Sequence, residues 1–415
     1  MPGRRLLSGV RVVEASILGP AEMGGLLADL GADVIKVEPP TGDYGRQMTW
    51  PIIRASSGEG ESSLLSLHVN RGKRSIAIDL RQAAGVETFL DLTRTADVVI
   101  EAMRPGALAK RGLSFERLCQ ANPRVVFCSI SGYGATGPYK DMPSHGIAYD
   151  TWAGQVPVEV TDDGFTVMAE HTGIGIHAGP LYGALAILAA VIDARATGSG
   201  VALEVAQSDA AAFFDWYRIE SWQAYERPAD EVYGNKSDNY ERRAPGTAGM
   251  REGVRYQIYD TADGRVLFMA SEQEFWKNFC VGVGRTDLFE RWPGSRFADH
   301  ARGNVELHRV LSELFRARTS AEWIAFGDAH NTPIAPVNTP RTIADDPQFR
   351  HRLPWIGRER LEADMLPFPV KVVDGELEPP TRAPEAGEHT DEILARVAGY
   401  DAERIAALRQ AGVVF

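Results

Sequence analysis

A chain of 415 residues, 44% hydrophobic and 24% charged, is long enough for two or three ordinary domains and has the make-up of a packed globular protein. Fibre, short peptide and disordered polyelectrolyte are excluded. With 44 Lys and Arg against 56 Asp and Glu the net charge is −12, so the chain as a whole is unsuited to nucleic acid or an anionic membrane, and an anionic ligand needs a local basic cluster.

The amino-terminal stretch Met1-Pro-Gly-Arg-Arg-Leu-Leu-Ser8 has no apolar segment of signal-peptide length, and no run of about 18 apolar residues is evident, so neither secretion nor a membrane partner is expected. Gly9 to Ser16 reads as a buried strand. Gly19-Pro20 opens a helix over Ala21 to Leu30, Gly31 ends it, and Ala32 to Glu38 is a second apolar strand stopped by Pro39-Pro40. Strand, glycine-containing turn, helix and strand make a βαβ unit, which implies a parallel sheet with its ligand crevice at the carboxyl ends of the strands. Further strands are expected at Ser75 to Asp79, Val98 to Glu101 and Val125 to Ser129, giving a doubly wound α/β domain.

From Gly179 the pattern turns helical and apolar, through Leu181 to Arg195, until Thr197-Gly-Ser-Gly200 breaks it. Val201 to Val205 is a strand, and Ser208 or Asp209 caps a helix rich in Phe213, Phe214, Trp216, Tyr217 and Trp222. The polar stretch Glu226 to Gly253 reads as a long loop or connection, with Arg242, Arg243 and Gly246 to Gly249 either a gate or a plain connector. Tyr256 to Tyr259 and Val266 to Ala270 form a hairpin about Asp263-Gly264, followed by helices. The expected layout is a large domain over residues 1–224, a small α+β domain over 225–330, and a return to the large domain over 331–415.

Basic residues recur at turns: Lys36, Asn70-Arg-Gly-Lys-Arg-Ser75, and Arg104 to Arg111. Either they converge at the strand ends on a phosphate-bearing ligand, or each is a solvated loop. The first unit lacks GxGxxG and GxxxxGK[ST], which disfavours a dinucleotide or Walker-type nucleotide. His145, Asp150, Glu170, His171 and His177 are of types that serve as acid, base or nucleophile, or as satisfied structural groups. The glycine-dense Ser131 to Pro138 is a lid or an ordinary turn. Cys119, Cys128 and Cys280 are too few for a disulfide framework and lack zinc-site spacing, so a reducing, cytoplasmic setting and no metal are expected.

These residues together resemble the class III CoA-transferases of the formyl-CoA transferase type, whose relatives include carnitine-CoA transferases and α-methylacyl-CoA racemases. The resemblance rests on Leu7 to Glu14, Gly19-Pro20, Leu30 to Pro39, Asn70 to Asp79, Ala96 to Glu101 with Arg104-Pro-Gly106, Ser131-Gly-Tyr-Gly134, Thr197 to Gly200, Pro333 to Val337 and Gly387-Glu-His-Thr-Asp391. It implies an interlocked homodimer, a Rossmann-like large domain built from both chain ends, and coenzyme A or acyl-CoA as substrate lying across it. The CoA-contacting positions it implies are Ile17, Lys36, Lys73 and Arg74 from the first half of that domain. Met103, Arg104, Lys110 and Tyr139 follow from the second half.

The resemblance also implies an aspartate nucleophile ahead of the apolar helix, one that carries the acyl group as an anhydride and then CoA as a thioester. Counting back from Ala186 lands on Ile176, and Glu170 to Pro180 contains no Asp. Three explanations compete. Glu170 supplies the carboxylate from a remodelled loop, with His171 and His177 in support. Alternatively His145, matching a racemase-type motif in Ser144-His-Gly-Ile-Ala-Tyr149, removes an α-proton. In the third, the chain binds CoA without the family's chemistry. The leading expectation is transfer of CoA between an acyl-CoA and a carboxylic acid.

Overall fold

The computed structural model describes residues 3–55, 60–234, 240, 242, 244, 250–296 and 299–415. Six strands build the principal sheet: β1 (Arg11–Ser16), β2 (Asp33–Glu38), β3 (Arg74–Ala77), β4 (Val98–Ala102), β5 (Val126–Ser131) and β6 (Ala202–Ala206). Their order is β6-β5-β4-β1-β2-β3 and every pairing is parallel. Strands buried on both faces need apolar side chains on both, and β1 shows why. Val13 and Ala15 enter one core with Phe89, Leu118 and Ile393, while Val12 enters the other with Met23, Leu27 and Ile187.

The second core is covered by α1 (Glu22–Asp29) and the long helix α6 (Gly175–Thr197), while α2 (Leu64–Asn70), α3 (Ala83–Thr93), α4 (Ala107–Lys110) and α5 (Gly146–Trp152) complete the helices that matter below. By length and composition α6 could cross a bilayer, which corrects the expectation that no stretch qualifies. Half of it is buried, against β5 and α1, where Gly179, Gly183 and Ile187 let it approach closely.

The chain divides into two compact units, residues 1–215 with 351–415, and residues 216–350. The middle unit therefore begins before and ends after the 225–330 span expected from composition. Inside the first unit the returning chain end is bonded to the sheet: Ala77 N–H donates to Thr390 Oγ1 at 3.3 Å, and Thr390 donates on to the Phe415 carbonyl at 2.7 Å. The middle unit holds the antiparallel strands β7 (Tyr256–Asp260), β8 (Arg265–Met269) and β9 (Ile334–Pro336) over an aromatic core of Trp276, Phe279, Phe315 and Trp323. Of the expected gate, Arg243 and Gly246 to Gly249 lie outside the described residues, and Arg242 donates to the Tyr225 carbonyl at 2.9 Å.

Candidate active site

In an open parallel sheet the crevice forms where neighbouring strands send their connections to opposite faces. Here that point lies between β1 and β4. A cavity of about 670 Å³ opens at their carboxyl ends, walled by Ile17, Pro20, Met103, Arg104, Lys110 and the turn Ser131 to Ala135, with His145 and Tyr149 opposite. A second cavity of about 310 Å³ lies over the ends of β1, β2 and β3, with apolar walls from Val37, Pro39, Ile78 and Leu80 and with Arg81 and Arg111 on its border. Ile17 and Met103 line both, so the two form one continuous trough.

The glycines of the 131–138 turn are required by space as well as by angle. A Cβ on Gly132 would lie 2.1 Å from Ser144 Oγ, and Gly134 and Gly137 have φ of +83° and +79°, in the left-handed region. Glu204 holds the turn by accepting from the Ala135 N–H.

The basic residues separate into two groups. Arg104 and Lys110 are exposed in the trough, and Arg104 has no side-chain hydrogen bond or ion pair among the described residues. Lys36 and Lys73 are fully buried below it, which corrects the expectation that all of these cations face the ligand. Lys36 Nζ donates to Asp43 Oδ2 at 3.0 Å and to the Ser16 carbonyl at 2.9 Å. Lys73 Nζ donates to Glu14 Oε2 and the Ala21 carbonyl, both at 2.6 Å, and burial depresses its pKa to about 8 against the pull of Glu14. A Lys set among Val34, Ile35 and Val37 has no route to solvent and must find a buried acid, which is the physical reason for the correction.

These pairs shape the trough from beneath. Asp43 also accepts from the Leu18 N–H at 3.2 Å, fixing Leu18 at φ +54° and so presenting Ile17 to the cavity.

Arg74 is likewise displaced. It begins β3, at the amino end of the sheet, and grips Asp33, its Nη2 donating to both carboxylate oxygens at 2.7 and 2.8 Å. Tyr139 is exposed with its ring 5.7 Å from that of Tyr133, outside the trough lining, although the next residue, Lys140, is part of that lining.

Of the catalytic candidates, His145 lines the trough, Glu170 stands exposed ahead of α6, and His171 is turned inward. Its Nδ1 lies 3.2 Å from the Ala169 carbonyl and its Nε2 3.8 Å from Asp150 Oδ2. Asp150 caps α6 across the chain, its Oδ1 accepting from Ile174 N at 3.1 Å and Gly175 N at 2.7 Å. Ile176 fills the start of α6, close enough that a Cβ on Gly19 would sit 2.7 Å from its Cδ1.

Sequence reasoning placed Arg111 in a basic turn facing the crevice, but did not anticipate Arg81 and Lys140 as cations of the trough, nor the pairing of His177 with Glu22, whose Nδ1 and Oε2 are 2.7 Å apart. A glutamate just after the Gly19-Pro20 turn was the available signal.

The sequence profile of CoA-transferase family III matches residues 7–390. Among curated relatives, a succinate–glutarate CoA-transferase of Agrobacterium fabrum is 30% identical over 96% of this chain and 97% of its own length. A succinyl-CoA:(R)-benzylsuccinate CoA-transferase subunit of Thauera aromatica is 31% identical over 94% and 93%. Among solved structures, a CaiB/BaiF family protein from Brucella suis superposes with a TM-score of 0.74 at 28% identity, covering 94% of this chain and 98% of that one.

Proposed function

Because the chain belongs to CoA-transferase family III, we propose that it moves CoA from an acyl-CoA to a carboxylic acid, with the trough at the carboxyl edge of the sheet as the CoA site. The observation that carries this reading is the continuity of the two cavities through Ile17 and Met103. CoA is a long ligand with an aromatic base and phosphates at one end and a thiol at the other. The smaller cavity has the flat apolar walls an adenine needs, with Arg81 and Arg111 beside it for phosphate. Arg104 and Lys110 stand where the chain of the ligand would turn into the larger cavity, each with charge to offer a diphosphate. The apolar pair Ile17 and Met103 suits the pantetheine arm, and the thioester end then meets the wall formed by Pro20, His145 and Tyr149.

Dicarboxylic acids are the acceptor class we favour, because the relatives above are named for succinate, glutarate and benzylsuccinate. Lys140 on the rim, paired at 2.7 Å with the exposed Asp141 in the free chain, supplies a cation for the distal carboxylate by exchanging that partner. We further propose that two copies assemble into a dimer. Leu181, Leu185 and Ile192 on α6, with Phe213 and Phe214 just beyond, are all at least half exposed in the single chain, and an apolar surface of that kind calls for a partner. A cytoplasmic setting agrees with three cysteines that are all unpaired.

The test is direct. Purified protein given succinyl-CoA and glutarate should yield glutaryl-CoA and succinate in equal amounts with no net hydrolysis, read by mass spectrometry. Hydrolysis to free CoA alone, or no binding of CoA by calorimetry, defeats the reading.

A further inference from the structure

Passing CoA between two acids without loss to water requires a protein carboxylate that can meet the thioester, and Ile176 cannot provide one. The carboxylates on the trough rim and on the elements next to it differ in what they are free to do. Asp141 is on the rim, held by Lys140 at 2.7 Å. Glu170 is exposed ahead of α6. Asp150 is 1% exposed, with Oδ1 committed to capping α6 and Oδ2, though without a hydrogen bond among the described residues, buried away from any ligand. Glu22 is different. It is the first residue of α1, directly after the turn whose Pro20 lines the trough, and its side chain is 18% exposed. One oxygen is oriented by His177 at 2.7 Å, and Oε1 has no hydrogen bond among the described residues.

We infer that Glu22 is the residue that takes up the acyl group, with His177 as its positioning residue. The inference rests on the transferase reading above and names the group that would perform it. His177 follows Ile176 directly, and Ile176 packs against Gly19 and Gly146, which neighbour the trough residues Pro20 and His145, so the imidazole is brought to the start of α1 beside the trough. The hydrogen bond to Glu22 raises the pKa of His177, and the ring nitrogen donates to Oε2 and leaves Oε1 as the attacking atom. His68 on α2 faces the same pair and is held neutral by burial and by Arg71, which lets it pack there without competing for Glu22.

The chemistry balances without an added reagent. Glu22 Oε1 bonds to the thioester carbonyl carbon, the carbon–sulfur bond breaks, and its electron pair leaves on CoA thiolate, giving an acyl-glutamyl anhydride. The thiolate then attacks the glutamyl carbonyl, releasing the donor acid and leaving CoA on Glu22 as a thioester. The acceptor carboxylate reverses the sequence. Each step exchanges carboxylate for thiolate, and no proton or electron is consumed.

The test incubates the full-length protein with succinyl-CoA, quenches with hydroxylamine and maps glutamyl hydroxamate by tandem mass spectrometry. The expected result is modification at Glu22, absent from E22Q, together with a loss of glutarate-dependent exchange on the order of 10⁴-fold while E22Q still takes up CoA with wild-type affinity. H177N should slow exchange and abolish its decline at high pH, a change a purely structural role would not produce. Hydroxamate at Glu170, Asp141 or Asp150, or exchange by E22Q at the wild-type rate, overturns the assignment. A wild-type protein that exchanges CoA but traps nowhere overturns it as well, leaving the transferase reading intact. Failure of the wild-type protein to exchange CoA at all sinks that reading and this one together.

Discussion

Lys73 and Arg104 look alike in the sequence, each a cation in a glycine-containing turn next to a strand, yet the fold gives them opposite tasks. Lys73 is buried against Glu14 and the Ala21 carbonyl, where it ties β1 to the start of α1. Arg104 stands in the trough with no side-chain hydrogen bond or ion pair among the described residues. A buried cation is held by the acid that compensates its lost hydration, whereas an exposed one keeps its charge available to a ligand. Charge in a turn therefore identifies a binding site only when the neighbouring acids are known.

The sharpest way to break that contrast is to remove one half of the buried pair. Lys73→Met strands Glu14 in the interior and should cost about 3–5 kcal/mol of stability in urea unfolding. Unfolding at the wild-type midpoint would show that the pair is not what holds β1 to α1. Next in size is the exposed pair. Arg104→Ala and Lys110→Ala should each weaken CoA binding about 10-fold by calorimetry, with a smaller salt dependence, while stability changes by less than about 0.5 kcal/mol. Equal affinity in both variants would remove these residues from the CoA site.

Arg74→Ala sharpens the comparison from a third position. Its partners are part-exposed Asp33 and Glu392, so a loss of about 1 kcal/mol or less is expected, with CoA affinity unchanged because the residue lies at the amino end of the sheet. A fall in affinity would return Arg74 to the binding set. A further effect concerns pH. Burial and Arg71 hold His68 down to about 4, below its ordinary 6.5, so the unfolded chain takes up a proton the folded one refuses. That part of the stability is complete above pH 6.5 and is lost as pH falls toward about 4. His68→Gln should flatten the decline over that window, and an unaltered acid limb would exclude His68 as its source.

The strands, the parallel sheet and the position of the crevice were legible because period and punctuation are local: Val12 and Val13 serve two cores, Gly31 and Pro39 end elements, and neither depends on distant residues. Ile17, Met103, Arg104, Lys110 and His145 line the trough; the resemblance pointed to Ile17 and Met103, while Arg104, Lys110 and His145 also stood out among the basic turns and titratable groups. The fates of Lys36, Lys73 and Arg74 were not legible. A side chain's partner is fixed by which residue stands opposite across the sheet or beneath a helix, and Glu14, Asp43 and Asp33 become opposite only on folding.

By itself the sequence determined the α/β architecture and the edge of the sheet where the crevice opens, because hydrophobic period and turn residues act over a few positions along the chain, and its motifs carried the family. Tertiary structure alone decided which cations remain free, that Asp150 caps a helix begun 25 residues later, and that Glu22 meets His177 across 155 residues of chain. Hydration and hydrogen bonding are settled among neighbours in space, and no spacing in a sequence states who those neighbours are.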